Sequence, residues 1–398
     1  MKCLLIRSKK LVVKMGNYNL RDLLIILFVT IMIIVQGCTL NKSVSETFTS
    51  VRTHDFYPLD NEGSLTLDST LGVTGIADLN NEDWKVRTLA VRDLIRAGID
   101  ADDQIIKGLY DQSIHVKQIS AMALGILKAE KAISDLEHII TNDDNVMVRC
   151  QAIIALGQME STQSLEILKD VLEKDPSRDI KHQCELAIDQ IKKGKGTTDK
   201  QLAAYLKLDE KNFKTIGLGS LAQDFILEDT NEKNWSLNEF RNKKWVVLIW
   251  VFADWCPVCH GEFHDLMKMK EDFEDANTQI FTLECHDLYR GRVMVGKELD
   301  PTYWFSKESF QDAYSENIWW PHLLDRAGTI AAMYGADPLT FSVHAEYINR
   351  PTTIIIDPQG IVRFSYKGTY WGDRPSIEQT LEMIKTQTFD FVHHKRLK

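Results

Sequence analysis

An internal repeat limits what this chain can fold into. Val116-Lys117, Val148-Arg149 and Ile180-Lys181 stand at an even 32-residue spacing, and Leu124, Leu156 and Ile188 each follow eight residues later. Ala-Leu-Gly recurs at 123–125 and 155–157. An earlier copy, Val86-Arg87 with Leu94, lies 30 residues before Val116. A fixed period near 30 with helical apolar spacing predicts stacked helix pairs over residues 81–194, each pair completing the core of the next. Cys184 aligns with Ala152 and Ser120 at a small inward position, so it reads as a buried small hydrophobe. Cys150 aligns with Gln118 and His182, a polar position that suggests exposure, and it reads as inert rather than reactive.

The Val-Arg and Ala-Leu-Gly pattern resembles short HEAT-type repeats. That resemblance implies either a surface that binds another protein or a rigid spacer. The Lys-, Gly- and Thr-rich stretch at 192–200 reads as the start of a linker, 195–214, ahead of a second folded unit at 215–398.

The N-terminus reads as an address rather than structure. Leu23 to Val35 is apolar, too short for a comfortable membrane span, and is preceded by Lys9, Lys10, Lys14 and Arg21. It ends in Val35-Gln36-Gly37-Cys38, which resembles a bacterial lipoprotein signal. The resemblance implies a signal at 1–37, lipidation of Cys38, a tether over 38–80 and a lipid-anchored protein of the cell envelope facing the periplasm or exterior. Thr39 rather than Asp after the cysteine points to the outer membrane. Met15 gives a more usual signal length than Met1. A plain membrane anchor is the competing reading.

The net charge of −10 disfavours nucleic acid as a partner, because phosphate binding needs a basic face. The seven cysteines do not form the dense framework of a small disulfide protein.

Trp245 to Phe252 is a continuous apolar, β-branched run that predicts a buried central strand. Ala253-Asp254-Trp255-Cys256-Pro257-Val258-Cys259 follows, then helical apolar spacing through Phe263, Leu266 and Phe273. The cysteine pair therefore sits at a strand-to-helix junction. A helix N-terminus stabilises a thiolate, so Cys256 is expected to have a lowered pKa and to attack a disulfide. Cys259, one turn on, would resolve the mixed disulfide.

Trp255-Cys256-Pro257-Val258-Cys259 after such a strand resembles the thioredoxin superfamily, in particular membrane-anchored thioredoxin-like reductases and redoxins. Arg350-Pro351-Thr352-Thr353-Ile354-Ile355-Ile356-Asp357 agrees; the resemblance implies that Pro351 is a cis-proline opening a strand beside the cysteines. It also implies a substrate groove touching Trp255, Pro257, Val258, Arg350 and Thr352. Leu323-Leu324-Asp325-Arg326-Ala327-Gly328 with Tyr334-Gly335, and Ala222-Gln223-Asp224-Phe225 with Ser236-Leu237, resemble further family segments. The expected whole is multidomain: an α-helical HEAT-like solenoid followed by an α/β thioredoxin-like domain.

The departures matter. Thioredoxin has a buried aspartate six residues before its first cysteine, where this chain has Trp250; Glu284 or water is the stand-in for proton transfer. Peroxiredoxins place a hydroxyl three residues before the reactive cysteine and a proline four before that, where this chain has Ala253 and Ile249. A peroxidase is thus the alternative to a thiol–disulfide oxidoreductase, and a non-catalytic binding protein on the same scaffold is a third. Cys256-Pro257-Val258-Cys259-His260 fits a c-type haem pattern, but a haem protein has no use for the preceding strand or the Pro351 segment. Zinc would need a second close pair. No cofactor is expected. The expected partners are protein thiols or disulfides and a redox partner protein. Cys285 reads as buried and inert, with a third redox thiol as its alternative. Pro301-Thr302-Tyr303-Trp304 and Trp319-Trp320 lie in an insertion and read as core rather than groove.

Overall fold

The computed structural model describes residues 76–98, 102–299, 318–336, 341–343, 346–348, 350–368 and 373–391. Segment 1–37, Cys38, the tether to residue 75 and Pro301 to Trp304 lie outside the described residues.

The first half is helical: α1 (Trp84–Ala97), α2 (Asp102–Gly108), α3 (Ile114–Leu127), α4 (Ile133–Asn142), α5 (Val146–Gln158), α6 (Leu165–Lys174) and α7 (Arg178–Lys193). Helices α3, α5 and α7 carry the 32-residue period and stack on one another, while α4 packs on α5 and α6 on α7. Each of these three helices starts the same way. Ser113, Asn145 and Ser177 cap them by accepting a backbone N–H of the first turn. Two residues earlier, the carboxylates of Asp111, Asp143 and Asp175 accept the cap residue's own N–H at 2.8, 2.8 and 2.9 Å. A side-chain cap of this kind contributes about 1 kcal/mol.

The repeat period also serves the joints. Lys117 reaches Asp143 at 2.6 Å and Arg149 reaches Asp175 at 2.5 Å, so the basic residue of one repeat ties down the turn of the next. A Cβ on Gly157 would stand 3.0 Å from Ala187 Cα, and one on Gly125 would stand 2.8 Å from Ala155 Cα. The Ala-Leu-Gly glycines therefore let successive helices approach closely.

Cys184 is buried, as expected. Cys150 is buried too, correcting the expectation of exposure, and so are its aligned residues Gln118 and His182. Polar residues at this position are not solvent-facing, because α3, α5 and α7 are covered there by neighbouring structure.

The stretch 195–214 is not a free linker. It holds α8 (Asp199–Leu206), capped by Thr198, and a short 3-10 turn at Glu210–Asn212. Tyr205, Leu208 and Phe213 join the apolar core of the repeats, with the Phe213 ring 5.1 Å from that of Trp84. The Lys-Gly-Thr composition that suggested a linker ends at Lys200, and these apolar residues follow it.

The second half is an α/β unit. Its hairpin β1 (Ile226–Glu228) and β2 (Asn234–Ser236) precede β3 (Trp245–Trp250). Then come α9 (Pro257–Lys268), α10 (Lys270–Asp275), β4 (Thr278–Glu284), α11 (Leu288–Met294), β5 (His322–Leu324), α12 (Thr329–Met333), the pair β6 (Phe341–Val343) and β7 (Glu346–Ile348), β8 (Thr352–Ile356), β9 (Val362–Lys367) and α13 (Ile377–Thr386). The main sheet has the order β5-β4-β3-β8-β9. Strands β3, β4 and β5 are mutually parallel, and β8 runs antiparallel to both its neighbours, β3 and β9. The apolar run thus becomes the central strand, buried on both faces, as its lack of alternation required. This is a helical repeat followed by a thioredoxin-like sheet.

Trp320 is buried core: its indole N–H donates to Thr282 Oγ1 at 3.0 Å and its ring meets Phe263 edge-on at 5.2 Å. The core does not stop at the boundary between the halves, because Ala327 and Ala332 pack into the apolar cluster of the repeats.

Candidate active site

Strand β3 and strand β8 set the site by register. Trp250, at the end of β3, pairs with Thr352, at the start of β8. The loop carrying the cysteines leaves the sheet where the Arg350-Pro351-Thr352 segment enters it. The two motifs, nearly a hundred positions apart in sequence, therefore come to the same end of the sheet.

Pro351 is buried, and its carbonyl accepts the Gly368 N–H at 2.7 Å. Among the described residues no peptide bond is cis, so the expected cis-proline is corrected to trans. The trans form is the intrinsically favoured one for X–Pro, by about 0.5–1 kcal/mol. Thr352 Oγ1 donates to the Arg350 carbonyl at 3.0 Å, so that hydroxyl helps close the turn into β8.

Cys256 is the N-cap of α9, with Pro257 at the first helical position, where a missing N–H costs nothing. Cys256 Sγ accepts the Cys259 N–H at 3.2 Å, and Cys259 Sγ accepts the Phe252 N–H at 3.5 Å. Both thiols are free and buried. Burial pushes the Cys256 thiol well above its ordinary range, and the adjacent Cys259 thiol adds to this. The Cys259 N–H and the Arg374 charge pull the other way without prevailing. The expectation of a depressed pKa is therefore corrected for this closed, reduced form: desolvation outweighs the helix terminus.

Of the expected groove residues, Pro257 is exposed, Val258 and Arg350 are half-buried, and Trp255 and Thr352 are buried. Trp255 packs near Phe252, ring centroids 5.9 Å apart, which makes it a wall of the loop rather than a contact surface.

Nothing in the sequence around Arg374 marks it as a site residue. Its Nε donates to Glu262 Oε1 at 2.7 Å, its Nη2 bonds Glu262 Oε2, and its Nη1 bonds the Trp250 carbonyl. This buried cation acts electrostatically on both Cys256 and Cys259. It precedes α13 in a Gly-Asp-Arg-Pro stretch that reads as an ordinary loop.

Glu284 does not suit proton transfer. It is buried, which alone would raise its pKa, but His286 Nδ1 at 3.8 Å and His322 Nε2 at 3.5 Å hold it down at about 2. A carboxyl so low stays ionised and has no proton to give near neutral pH. Asp325 is different: burial raises it to about 6, against hydrogen bonds from Ile330 N–H, Ala331 N–H and the Trp250 indole. Trp250, standing where thioredoxin has its aspartate, thus contacts a buried carboxyl at 3.0 Å.

Asp254 lies two residues before Cys256. Arg290 reaches its Oδ1 at 2.5 Å and His182 its Oδ2 at 3.0 Å. Burial would raise this carboxyl, but the Arg290 and His182 charges bring it well below the usual range. His260 is held neutral by burial, its pKa lowered to about 4, and its Nε2–H donates to the Asp254 carbonyl at 2.5 Å.

Cys285 is half-buried rather than fully buried. It lines a cavity of about 60 Å³ between the repeats and the α/β unit, with Gln151, Gln183, Gln201, Tyr205 and Arg290. Burial pushes the Cys184 thiol up to about 12. Among the described residues no group of three or more His, Cys, Asp or Glu side chains is placed to hold a metal.

Comparison with known proteins agrees with this geometry. The AhpC/TSA family pattern matches residues 218–365 and the HEAT repeat pattern matches residues 103–189. The chain carries an AhpC/TSA-type, thioredoxin-like domain behind HEAT repeats. It is 25% identical over 150 residues to alkyl hydroperoxide reductase E of Mycobacterium tuberculosis, covering 38% of this chain and 84% of that protein. It is 27% identical over 156 residues to the thiol-disulfide oxidoreductase ResA of Bacillus subtilis, covering 39% and 70%. It is 25% identical over 142 residues to a putative peroxiredoxin in a rubredoxin operon of Clostridium pasteurianum, covering 36% and 70%. The AhpC/TSA-type domain thus has both peroxidase and disulfide-exchange relatives.

Proposed function

We propose that this AhpC/TSA-type chain is a thiol–disulfide oxidoreductase acting on protein disulfides, lipid-anchored through Cys38 in the cell envelope. The observation that carries the reading is the cysteine pair at the head of α9, with Cys256 Sγ accepting the Cys259 N–H at 3.2 Å. The resolving thiol is one helical turn from the attacking one.

In the forward direction the Cys256 thiolate attacks one sulfur of a substrate disulfide. That S–S bond breaks, one substrate thiolate leaves, and a mixed disulfide forms on Cys256. The Cys259 thiolate then attacks Cys256 Sγ, expelling the second substrate thiolate and leaving a Cys256–Cys259 disulfide. The substrate gains two electrons, and a partner dithiol returns them to the pair. Exposed Pro257 and half-buried Val258 mark the side from which a protein chain approaches. Arg374 favours the thiolate at each step.

A second reading, peroxidase, is favoured by the complete burial of Cys256, since a peroxide reaches a buried thiol more easily than a protein disulfide does. Ala253 opposes it, because no hydroxyl stands there to hold peroxide. Insulin reduction and hydrogen peroxide consumption, each with a supplied thiol reductant, separate the two. Exchange activity lost in Cys256→Ser, with mixed disulfide accumulating in Cys259→Ser, is expected. Fast peroxide turnover that survives Cys259→Ser, with negligible exchange in the parent, overturns the reading. Mass spectrometry of the mature protein checks the anchor: an unmodified Cys38 rejects it.

A further inference from the structure

The loop 251–256 between β3 and α9 has few backbone bonds of its own. Val251 N–H reaches Leu283 O at 2.8 Å, and Cys256 N–H closes back on Ala253 O at 3.0 Å. What fixes the middle of the loop is Asp254. Its carboxylate is sealed from solvent between Arg290 at 2.5 Å and His182 at 3.0 Å, and its carbonyl receives the Nε2–H of His260 at 2.5 Å. Arg290 and His260 belong to the same α/β unit as Asp254. His182 belongs to α7, the last helix of the repeats.

Around this contact α7 and α11 are broadly docked. Tyr289 Oη donates to the Leu186 carbonyl or to Asp189 Oδ2, at 3.2 and 3.0 Å, and Arg290 Nη1 approaches Gln183 Oε1 at 3.4 Å. Thr198 donates through both N–H and Oγ1 to Asp287 at 2.8 Å. Of these contacts, the His182 one alone touches the redox loop itself.

On the reading of Cys256 as the attacking thiol, we infer that His182 is a positioning residue of the redox site: through the Asp254 carboxylate, the helical repeat fixes the loop that presents Cys256, so exchange at Cys256 depends on a docked repeat. The repeat is then a wall of the active site and neither a spacer nor a separate module. The physical ground is that a buried carboxylate with a partner removed is strongly unfavourable, so the loop has to move toward water if His182 is lost. A displacement of the Asp254 backbone passes directly to Cys256 on one side. It passes through His260 to the first turn of α9 on the other. The charged or titratable groups acting on Cys256 are Cys259 on α9 and Arg374 ahead of α13, with Asp254, His182, Arg290 and His260 acting through the loop.

The test follows Cys256 alkylation by iodoacetamide in the reduced full chain, read peptide by peptide by mass spectrometry across a pH series. His182→Leu keeps bulk and removes the ring nitrogen that faces Asp254; His182→Gln keeps a polar group there; Lys193→Ala breaks the Lys193–Glu298 pair at the rim of the same interface without touching Asp254. In His182→Leu, Cys256 should alkylate at least about fivefold faster, with its pH midpoint lowered, because a loosened loop regains water. His182→Gln and Lys193→Ala should stay within about twofold of the parent. If His182→Leu does not fold by circular dichroism, His182→Phe, which keeps a ring and removes its nitrogens, takes its place and the same acceleration is required. Equal behaviour of the Leu and Gln variants, or equal acceleration in Lys193→Ala, overturns the inference. Alkylation needs no turnover, so a parent chain inactive toward insulin removes the proposed function while leaving this comparison to decide the role of His182.

Discussion

Arg374 and Glu262, 112 positions apart, form a forked contact, Nε to Oε1 at 2.7 Å and Nη2 to Oε2, directly beside the cysteine pair. Glu262 lies on α9 and Arg374 just ahead of α13, so the pair fastens the cysteine helix to the end of the domain and leaves a cation next to both thiols. Arg374→Met should raise the Cys256 pKa further, and each unit costs about tenfold in thiolate at fixed pH. It should also destabilise, by about 3–5 kcal/mol, because Glu262 is left mostly buried and unpaired. The double variant Arg374→Met/Glu262→Gln separates the effects. Stability by chemical denaturation should recover in part while Cys256 alkylation stays slow. Recovery of both would mean that Arg374 is structural only.

Glu284 gives a pH signature. Its carboxyl titrates at about 2 in the fold against 4.5 in a free chain. A depressed acid contributes stability above its unfolded value and loses it as pH falls through the folded one. The contribution is therefore complete above pH 4.5 and lost towards about pH 2. Glu284→Gln should destabilise at neutral pH and flatten the acid limb of the stability curve in that window. An unchanged limb, measured by urea midpoint against pH, rejects the assignment.

Two glycines offer opposite outcomes for the same substitution. In Gly157→Ala the new Cβ meets Ala187 Cα at 3.0 Å and Gln190 Oε1 at 2.8 Å, so the stacked helices must separate. The cost, about 1–3 kcal/mol, should exceed the helix-propensity gain of about 1 kcal/mol. At Gly261, inside α9, a Cβ meets nothing within 4 Å, so Gly261→Ala should stabilise by up to about 1 kcal/mol. Both are read from denaturant midpoints of the full chain.

The repeats were legible because helix stacking forces the same residues into the same places every 32 positions, and β3 because a strand buried on both faces cannot alternate. The cysteine pair was legible from its place between the two patterns. What escaped was set by contacts between distant segments. Arg374 sits in a loop whose composition carries no sign of its partner. His182 looked like one more variant of a polar repeat position, when Asp254 from the other half of the chain is what it faces. In segment 195–214 the lysines and glycines at the start suggest a linker, while Tyr205, Leu208 and Phe213 decide its packing. The Asp-x-Ser and Asp-x-Asn caps at 111–113, 143–145 and 175–177 share the period and could have been found by the same spacing.

That packing changes the expectation for truncation. The shift from a helical repeat to a strand-led pattern across the 192–200 stretch suggests that a fragment from about 210 to 398 folds alone and keeps its redox activity. In the structure Ala327 and Ala332 bury into the core of the repeats, and Arg326 bonds Asp287, which also receives Thr198. Cutting at 215 exposes this apolar patch and removes His182 from the Asp254 carboxylate, leaving a buried charge with Arg290 alone. The sheet keeps its own core around Leu248, Trp250, Phe281 and Ile354, so the fragment should retain strand signal by circular dichroism. Its Tm should nevertheless fall by at least about 5 °C against the full chain, since 1 kcal/mol moves a domain of this size by about 2–4 °C and several contacts are lost together. A longer fragment starting at residue 178 restores α7, α8 and His182 but not the rest of the repeats. It should recover part of the loss if the α7 contact matters locally. A 215–398 fragment as stable as the full chain, with parental Cys256 alkylation, would show that the two halves are independent and that the shared core carries no stability.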